Sequence, residues 1–214
     1  MTKKKWPTVV KMLRGKPGDV LNVGANIGQE VKGLLHNSRG RLYAIEAVEE
    51  NARQIRKRFG RHPRVQVRTQ VMASTIGQRT FYINNWPGTH SLLPWNPAYL
   101  VPRGIHWSTI REIEVTTNTL DQFCKTEGID RVAFLFMDLQ GAELEVLRGA
   151  KDLLRDGKID LIMGEQIQRP IYKDVPPFHE IRRYLEGFGY RLTDTFKLDT
   201  EQYFDFVFEK GAIT

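Results

Sequence analysis

The chain has 214 residues, a formal net charge of +7 and one cysteine, Cys124, which excludes an internal disulfide framework and a thiolate zinc site. Apolar runs reach only about five residues, as in Ala133–Met137, and the start MTKKKWP lacks the apolar stretch of a signal peptide, so a membrane-spanning helix is excluded and a soluble cytoplasmic protein is expected. No Gly/Ser-rich linker, repeat or low-complexity tract divides the sequence, and one domain over residues 1–214 is expected, long enough for a well-buried α/β core.

In chain order, apolar runs alternate with helix-period segments, as in a parallel sheet with crossover helices. Val20–Val23 reads as the first strand, Gly28 to His36 as a helix, and Arg41–Ile45 as a second strand closed by Glu46. Glu49–Phe59 reads as a helix with Ala52, Ile55 and Phe59 on its inner face, and Val65–Arg68 as a short third strand. Ala133–Met137 shows no polar alternation, which predicts a central strand buried on both faces. A helix carrying Leu144, Leu147 and Leu154 follows, then a strand at Ile159–Met163 and a helix from Pro176 to Gly187. Tyr190–Thr193 and Tyr203–Phe208 close the chain as a strand pair joined around Asp199, which predicts an antiparallel last strand. The pattern is that of a Rossmann-like class I methyltransferase: a doubly wound, mostly parallel seven-stranded sheet with an antiparallel last strand and an inserted hairpin or lid.

The insertion covers about 76–118. Two strand-like pieces, Arg79–Ile83 and Glu112–Thr116, flank a Pro-punctuated stretch holding Trp86, His90, Trp95, Tyr99, His106 and Trp107, too rich in aromatics for a disordered loop. We read it as a lid over a binding site, the alternative being aromatics that pack the hairpin onto the sheet edge. The segment Arg53–Arg68 carries seven cations and no acid. It is either the solvated face of a helix, with Glu49 one turn ahead of Arg53, or a phosphate-binding face.

Ligands of an open parallel sheet sit outside the carboxyl ends of the strands where strand order reverses, which puts Gly24-Ala-Asn-Ile-Gly28 at the expected place. The glycine spacing disfavours pyrophosphate, and no Gly-Lys-Ser/Thr follows as a phosphate loop requires. A glycine turn with an acid, Glu46, closing the second strand suits a nucleoside without phosphate, S-adenosylmethionine, whose ribose hydroxyls the two carboxylate oxygens could accept from. The other reading of Glu46 is a helix N-terminal acid. Asp138 ends the central strand beside that crevice and is the expected acceptor of a hydroxyl's proton; His90 is a second candidate base. Glu143 reads as a helix-end acid linked to the backbone, and no local spacing marks a metal site.

The stretches NVGANIG (22–28), YAIEAVEENAR (43–53), TLDQF (119–123), MDLQGAELEVLRGA (137–150) and GFGYRL (187–192) together resemble the FkbM family of S-adenosylmethionine-dependent methyltransferases, over about residues 19–208. The resemblance implies O-methylation of a hydroxyl on a sugar, glycan or other natural-product scaffold. Asn22, Gly24, Ala25, Asn26, Gly28, Glu46, Ala73 and Asp138 are then the expected cofactor-binding set, and His90, Ser91, Trp86, Trp95, Trp107 and Glu165 the expected substrate-binding set. Two positions depart from the family pattern: Asn22 and Gln140 stand where family members commonly carry acids. Asn22 keeps an acceptor for the cofactor's ammonium but no charge, which motivates an alternative reading as a cofactor-binding scaffold without activity. A nucleic-acid (RNA) methyltransferase is the other alternative, motivated by the Arg53–Arg68 run. The sequence Asp174-Val-Pro-Pro-Phe178 is similar to the D/N-P-P-Y/F motif of amino methyltransferases, but it follows the wrong strand and reads as a helix start.

Overall fold

The computed structural model describes residues 5–99, 108–197 and 202–211. Its elements are α1 (Lys5–Leu13), β1 (Asp19–Val23), α2 (Val31–Asn37), β2 (Leu42–Glu46), α3 (Glu49–Phe59), β3 (Val65–Thr69), β4 (Val71–Met72), β5 (Gly77–Asn84), β6 (Thr109–Asn118), α4 (Leu120–Glu127), β7 (Val132–Met137), α5 (Glu143–Arg148), α6 (Lys151–Arg155), β8 (Ile159–Ile167), α7 (Phe178–Gly187), β9 (Tyr190–Lys197) and β10 (Tyr203–Lys210). The turn placed around Asp199 lies outside the described residues.

The main sheet has seven strands in the order β3-β2-β1-β7-β8-β10-β9. Strands β3 to β8 of that order run parallel, and β10 is antiparallel to both of its neighbours. The chain winds outward one way through β2 and β3 and the other way from β7, so the reversal falls between β1 and β7. Strand β7 is buried at every position, as its unbroken apolar run requires: Phe134 and Phe136 join Val9, Val31, Leu34 and Ile55 on one face, while Leu135 and Met137 join Leu120, Leu147 and Ile181 on the other. The hairpin β5–β6, with β4 alongside β6, forms a separate three-stranded sheet.

Four elements differ from the sequence expectation. Helix α1 went unread because Pro7 and the basic start mask its amphipathic character; a proline in the first turn costs no helical hydrogen bond, and Val9 and Leu13 are buried. Helix α4 is capped by the Thr119 side chain, which accepts from the Gln122 N–H, and ended by Gly128 at φ 62°. The helix after the central strand is two pieces, α5 and α6, because Gly149 lies against the Ala73 carbonyl, where a Cβ would stand 2.1 Å from the oxygen. The first crossover helix starts at Val31, past a turn that Asn26 (φ 48°) and Gly28 (φ 81°) hold in left-handed conformations.

Candidate active site

The cleft at the reversal point is open to solvent and lies among Val23, Gly24, Glu46, Met72, Phe81 and Asp138. Its floor is the turn after β1. Gly24 and Ala25 both donate to the Ile45 carbonyl, at 2.9 and 3.0 Å, so the turn is pinned to β2. Gly24 is required twice over: its φ is 80°, and a Cβ there would stand 2.0 Å from the Asp138 carbonyl oxygen. The end of β1 therefore touches the end of β7 backbone to backbone, and the Asp138 N–H donates to Val23 O at 3.1 Å.

Glu46 forms the wall on the β2 side. Its Oε2 accepts from the Asn26 N–H at 2.8 Å, and its Oε1 from the Val48 N–H at 3.0 Å and the Asn51 amide at 3.4 Å. Burial, the leading cause, raises its pKa, while the backbone donors act to lower it. A carboxylate oxygen has two lone pairs, so Oε2 keeps one acceptor position and Oε1 has both filled. That narrows the expected two-oxygen ribose clamp to one oxygen, with the Asn51 side chain, which also lines the cleft, as its neighbour.

Asp138 lines the opposite side and is reachable from the cleft, yet packed deeply enough that desolvation raises its pKa; the Gln140 amide, donating at 2.8 Å to Oδ1, and the Lys5 ammonium oppose the rise. Gln140, held at φ 55°, also donates to Glu165 Oε2 at 3.4 Å and accepts from the Tyr172 hydroxyl at 3.2 Å. Glu165 is pushed up to about 9, first by burial and then by Asp138, Glu143 and Asp205. Glu143 is buried, accepts the Leu139 N–H at 2.8 Å and is raised to about 8 by desolvation, a backbone anchor of the kind read from the sequence.

The inserted hairpin roofs the cleft with Phe81, Gly88, His90 and Leu92. His90 Nδ1 accepts the Asn84 N–H at 3.1 Å, so the neutral ring carries its proton on Nε2, and burial lowers its pKa. This geometry makes His90 a neutral donor, where the sequence reading offered a base. Ser91 does not line the cleft: its hydroxyl reaches the Gln140 carbonyl at 3.1 Å and fastens the lid to the loop after β7.

Of the expected site residues, the structure gathers Gly24, Asn26, Glu46, Asp138 and His90 around the cleft. Ala25 is buried in the core, and Gly28 closes the turn, its N–H on the Ala25 carbonyl and its Cα against Ile55. Ala73 is buried behind the wall, its N–H bonded to Asn118 O, and Met72 and Gln70 line the cleft in its place. Trp86 is 54% exposed on the lid's rim, and Trp95 is buried against Tyr172 and Tyr99, a packing role. Glu165 lies inside β8 opposite Asp205, and meets the cleft only through Gln140. Trp107 lies outside the described residues. Asn22 does not line the cleft; it is fully buried beneath the turn, and both its side-chain polar atoms lack a partner. Asn51 and Gln70 were missed: Asn51 lies within the stretch 43–53 but on the helix after Glu46, and Gln70 sits between β3 and β4, where only the fold brings either to the cleft. Among the described residues, no group of three or more His, Cys, Asp or Glu is placed to hold a metal ion.

Five of the seven cations of the basic run have partners within the chain, three of them at the surface. Arg53 and Arg56 pair with Glu50 and Glu49, Arg58 donates to Ile27 O, Arg64 to the carbonyls of Leu35, Ser38 and Gly40, and Arg68 to Glu127.

A doubly wound sheet with one antiparallel strand, a glycine turn at its reversal point and acids closing the strands on either side defines the Rossmann-like methyltransferase class. Within that class, residues 22–192 match the model of the Methyltransferase FkbM domain, and the chain belongs to that family of methyltransferases. It is 24% identical over 187 residues to the 2-O-methyltransferase NoeI of Sinorhizobium fredii (strain NBRC 101917 / NGR234), covering 84% of this chain and 76% of that one. Its fold is similar to a Methyltransferase FkbM from Methylobacillus flagellatus KT, with TM-score 0.61 and 15% identity over 91% of this chain; the chain spans 44% of that protein's length. It is also similar to Aeropyrum pernix fibrillarin, solved with natively bound S-adenosyl-L-methionine, at TM-score 0.52 and 14% identity over 92% of this chain and 67% of that one. No helix among the described residues is long and apolar enough to cross a membrane.

Proposed function

We propose that the protein is an S-adenosylmethionine-dependent O-methyltransferase acting on a hydroxyl of a sugar, glycan or other natural-product scaffold. The observation that carries this reading is the convergence, in one roofed cleft, of a ribose acceptor (Glu46), a strand-end carboxylate (Asp138) and the glycine turn at Gly24. The residues present fit the cofactor: Glu46 and Asn51 would hold the ribose, Val71, Met72 and Phe81 the base, and the turn at Gly24 and Asn26 the amino-acid end.

S-adenosylmethionine, when bound, supplies an electrophilic methyl group on a sulfonium. Asp138 accepts the hydrogen bond of the incoming hydroxyl and takes its proton. Gln140 fixes the rotation of that carboxylate by holding Oδ1, which leaves Oδ2 for the hydroxyl. His90, with its proton on Nε2, donates to an oxygen of the acceptor, and Phe81 and Leu92 exclude water from the roof. Trp86, exposed on the rim, presents a ring face to a sugar's C–H surface. The 2-O-methyltransferase relative supports a hydroxyl acceptor. Five of the seven Arg53–Arg68 cations have partners within the chain, which supports a small-molecule or glycan acceptor over RNA.

The test has two stages. Calorimetry with S-adenosylmethionine should show binding, and its absence at high micromolar concentration refutes the reading. Transfer of a labelled methyl to a panel of glycans and metabolites, with RNA as control, should then identify the acceptor, and Asp138→Ala should abolish that transfer. An Asp138→Ala chain with unchanged transfer refutes the assigned base.

A further inference from the structure

Helix α1 and strand β10 lie outside the residues 22–192 that match the family domain, yet they meet at the carboxyl edge of the sheet. Lys5, in the first turn of α1, places its ammonium 2.9 Å from Asp205 Oδ2, and Asp205 is only 3% exposed. The helix is anchored for this: Val9 and Leu13 are buried, Trp6 packs edge-on to Phe136 at 5.8 Å, and the ammonium lies 5.6 Å over the Phe136 ring. Asp205 faces Glu165 directly across the β10–β8 ladder, so the two carboxyl groups share one side of the sheet, an arrangement that destabilises unless a cation or a proton relieves it. Glu165 in turn shares the Gln140 amide with Asp138. The result is one connected line, Lys5–Asp205–Glu165–Gln140–Asp138, running from the amino-terminal helix into the cleft.

Resting on the function proposed above, we infer that Lys5 is a positioning residue of the active site, whose ammonium on Asp205 sets the charge that this line of carboxyl groups presents to the cleft's ligand. The same ammonium acts favourably on Glu30 ahead of α2, on Asp138 and on Glu165 as well as on Asp205. The other titratable groups facing the line are Glu143 from α5, Glu46 from β2, and the tyrosines Tyr172 and Tyr203. They are acids throughout, with the neutral His90 in the roof. A positive charge among acids keeps them ionised to lower pH; without it, protons are taken up and the cleft presents less negative charge to a sulfonium.

The test uses the full chain with Lys5→Met, which keeps an apolar stem, and Lys5→Arg, which restores the charge. In thermal unfolding between about pH 4 and 9, the Lys5→Met deficit in Tm should be small at the acid end, where the carboxyl groups are protonated in both states. It should widen as pH rises and Lys5→Arg should abolish it. A deficit equal at every pH is a packing effect and overturns the inference. The second measurement compares affinities for S-adenosylmethionine and for S-adenosylhomocysteine, which lacks the sulfonium charge. The preference for the sulfonium should grow with pH, and in Lys5→Met the midpoint of that growth should move up by about one pH unit, the scale of removing a nearby opposite charge. An unmoved midpoint overturns the inference. A wild-type chain that binds neither compound refutes the proposed function instead, and the unfolding series still decides whether Lys5 sets the charge of the line.

Discussion

Replacing Gly24 by alanine probes the contact on which the site is built. The new Cβ would stand 2.0 Å from the Asp138 carbonyl oxygen and 3.2 Å from a Leu139 methyl, against roughly 3.5 Å for ordinary contact. The residue must also keep φ at 80°, which costs an alanine about 1–2 kcal/mol. Relief by parting β1 from β7 stretches the Asp138 N–H to Val23 O hydrogen bond, worth about 1 kcal/mol. Together these give a loss of about 3 kcal/mol, or roughly 6–12 °C in Tm for a chain of this size. Calorimetry should also show affinity for S-adenosylmethionine falling by about tenfold, equivalent to about 1.4 kcal/mol. Gly33→Ala is the matched control: nothing lies within 4 Å of its Cβ in α2, so alanine's better helix propensity should stabilise by up to about 1 kcal/mol. A Gly24→Ala protein that melts within about 2 °C of wild type refutes the claim that a backbone crossing sets the distance between the turn and the acid.

Glu46→Gln must set an amide N–H against the N–H of Asn26 or of Val48, and affinity for S-adenosylmethionine and for adenosine should fall in the same proportion, by about tenfold. Glu143 loses its proton near its usual value when unfolded but near 8 when folded, so the folded state binds more protons and stability falls as pH rises from about 4.5 to about 8. Glu143→Gln, which keeps the acceptor for Leu139 N–H, should flatten that fall in denaturant titrations at pH 5 and pH 9; an unchanged slope would show that Glu143 is not its source. Arg64→Ala strips hydrogen bonds from three carbonyls in and just after the last turn of α2 and should destabilise by about 2 kcal/mol, whereas Arg53→Ala, an exposed pair with Glu50, should change stability by less than about 0.5 kcal/mol.

The sheet was legible because its strands are either continuous apolar runs or end in signalled turns. Ala133–Met137 could only be central, and the late pair Tyr190–Thr193 and Tyr203–Phe208, with no helix between, announced the antiparallel strand. Within the site, Gly24, Glu46 and Asp138 were readable because each is placed by the end of a strand, and strand ends are what apolar periodicity locates best. Residues displaced by one or two positions were not: Met72 lines the cleft where Ala73 was expected, since β4 turns toward β6 and buries the alanine behind it. The aromatics of the insertion looked alike in sequence, but a tryptophan's environment depends on which side of the hairpin it emerges from, and Trp95 went to the core while Trp86 went to the rim. His90 lost its role as a base through a hydrogen bond from a backbone six residues away, which no side-chain pattern encodes.

The Tyr172 hydroxyl has a single proton and two claimants, the lid carbonyl of Thr89 at 2.7 Å and the Gln140 side-chain oxygen at 3.2 Å. It can serve only one at a time. Fastening the lid therefore competes with steadying the glutamine that orients Asp138, and a displaced lid frees the phenol to grip that glutamine. By reciprocity, whatever strengthens one arrangement weakens the other to the same degree. A single phenolic proton thus ties the latch of the chamber to the aim of its acid.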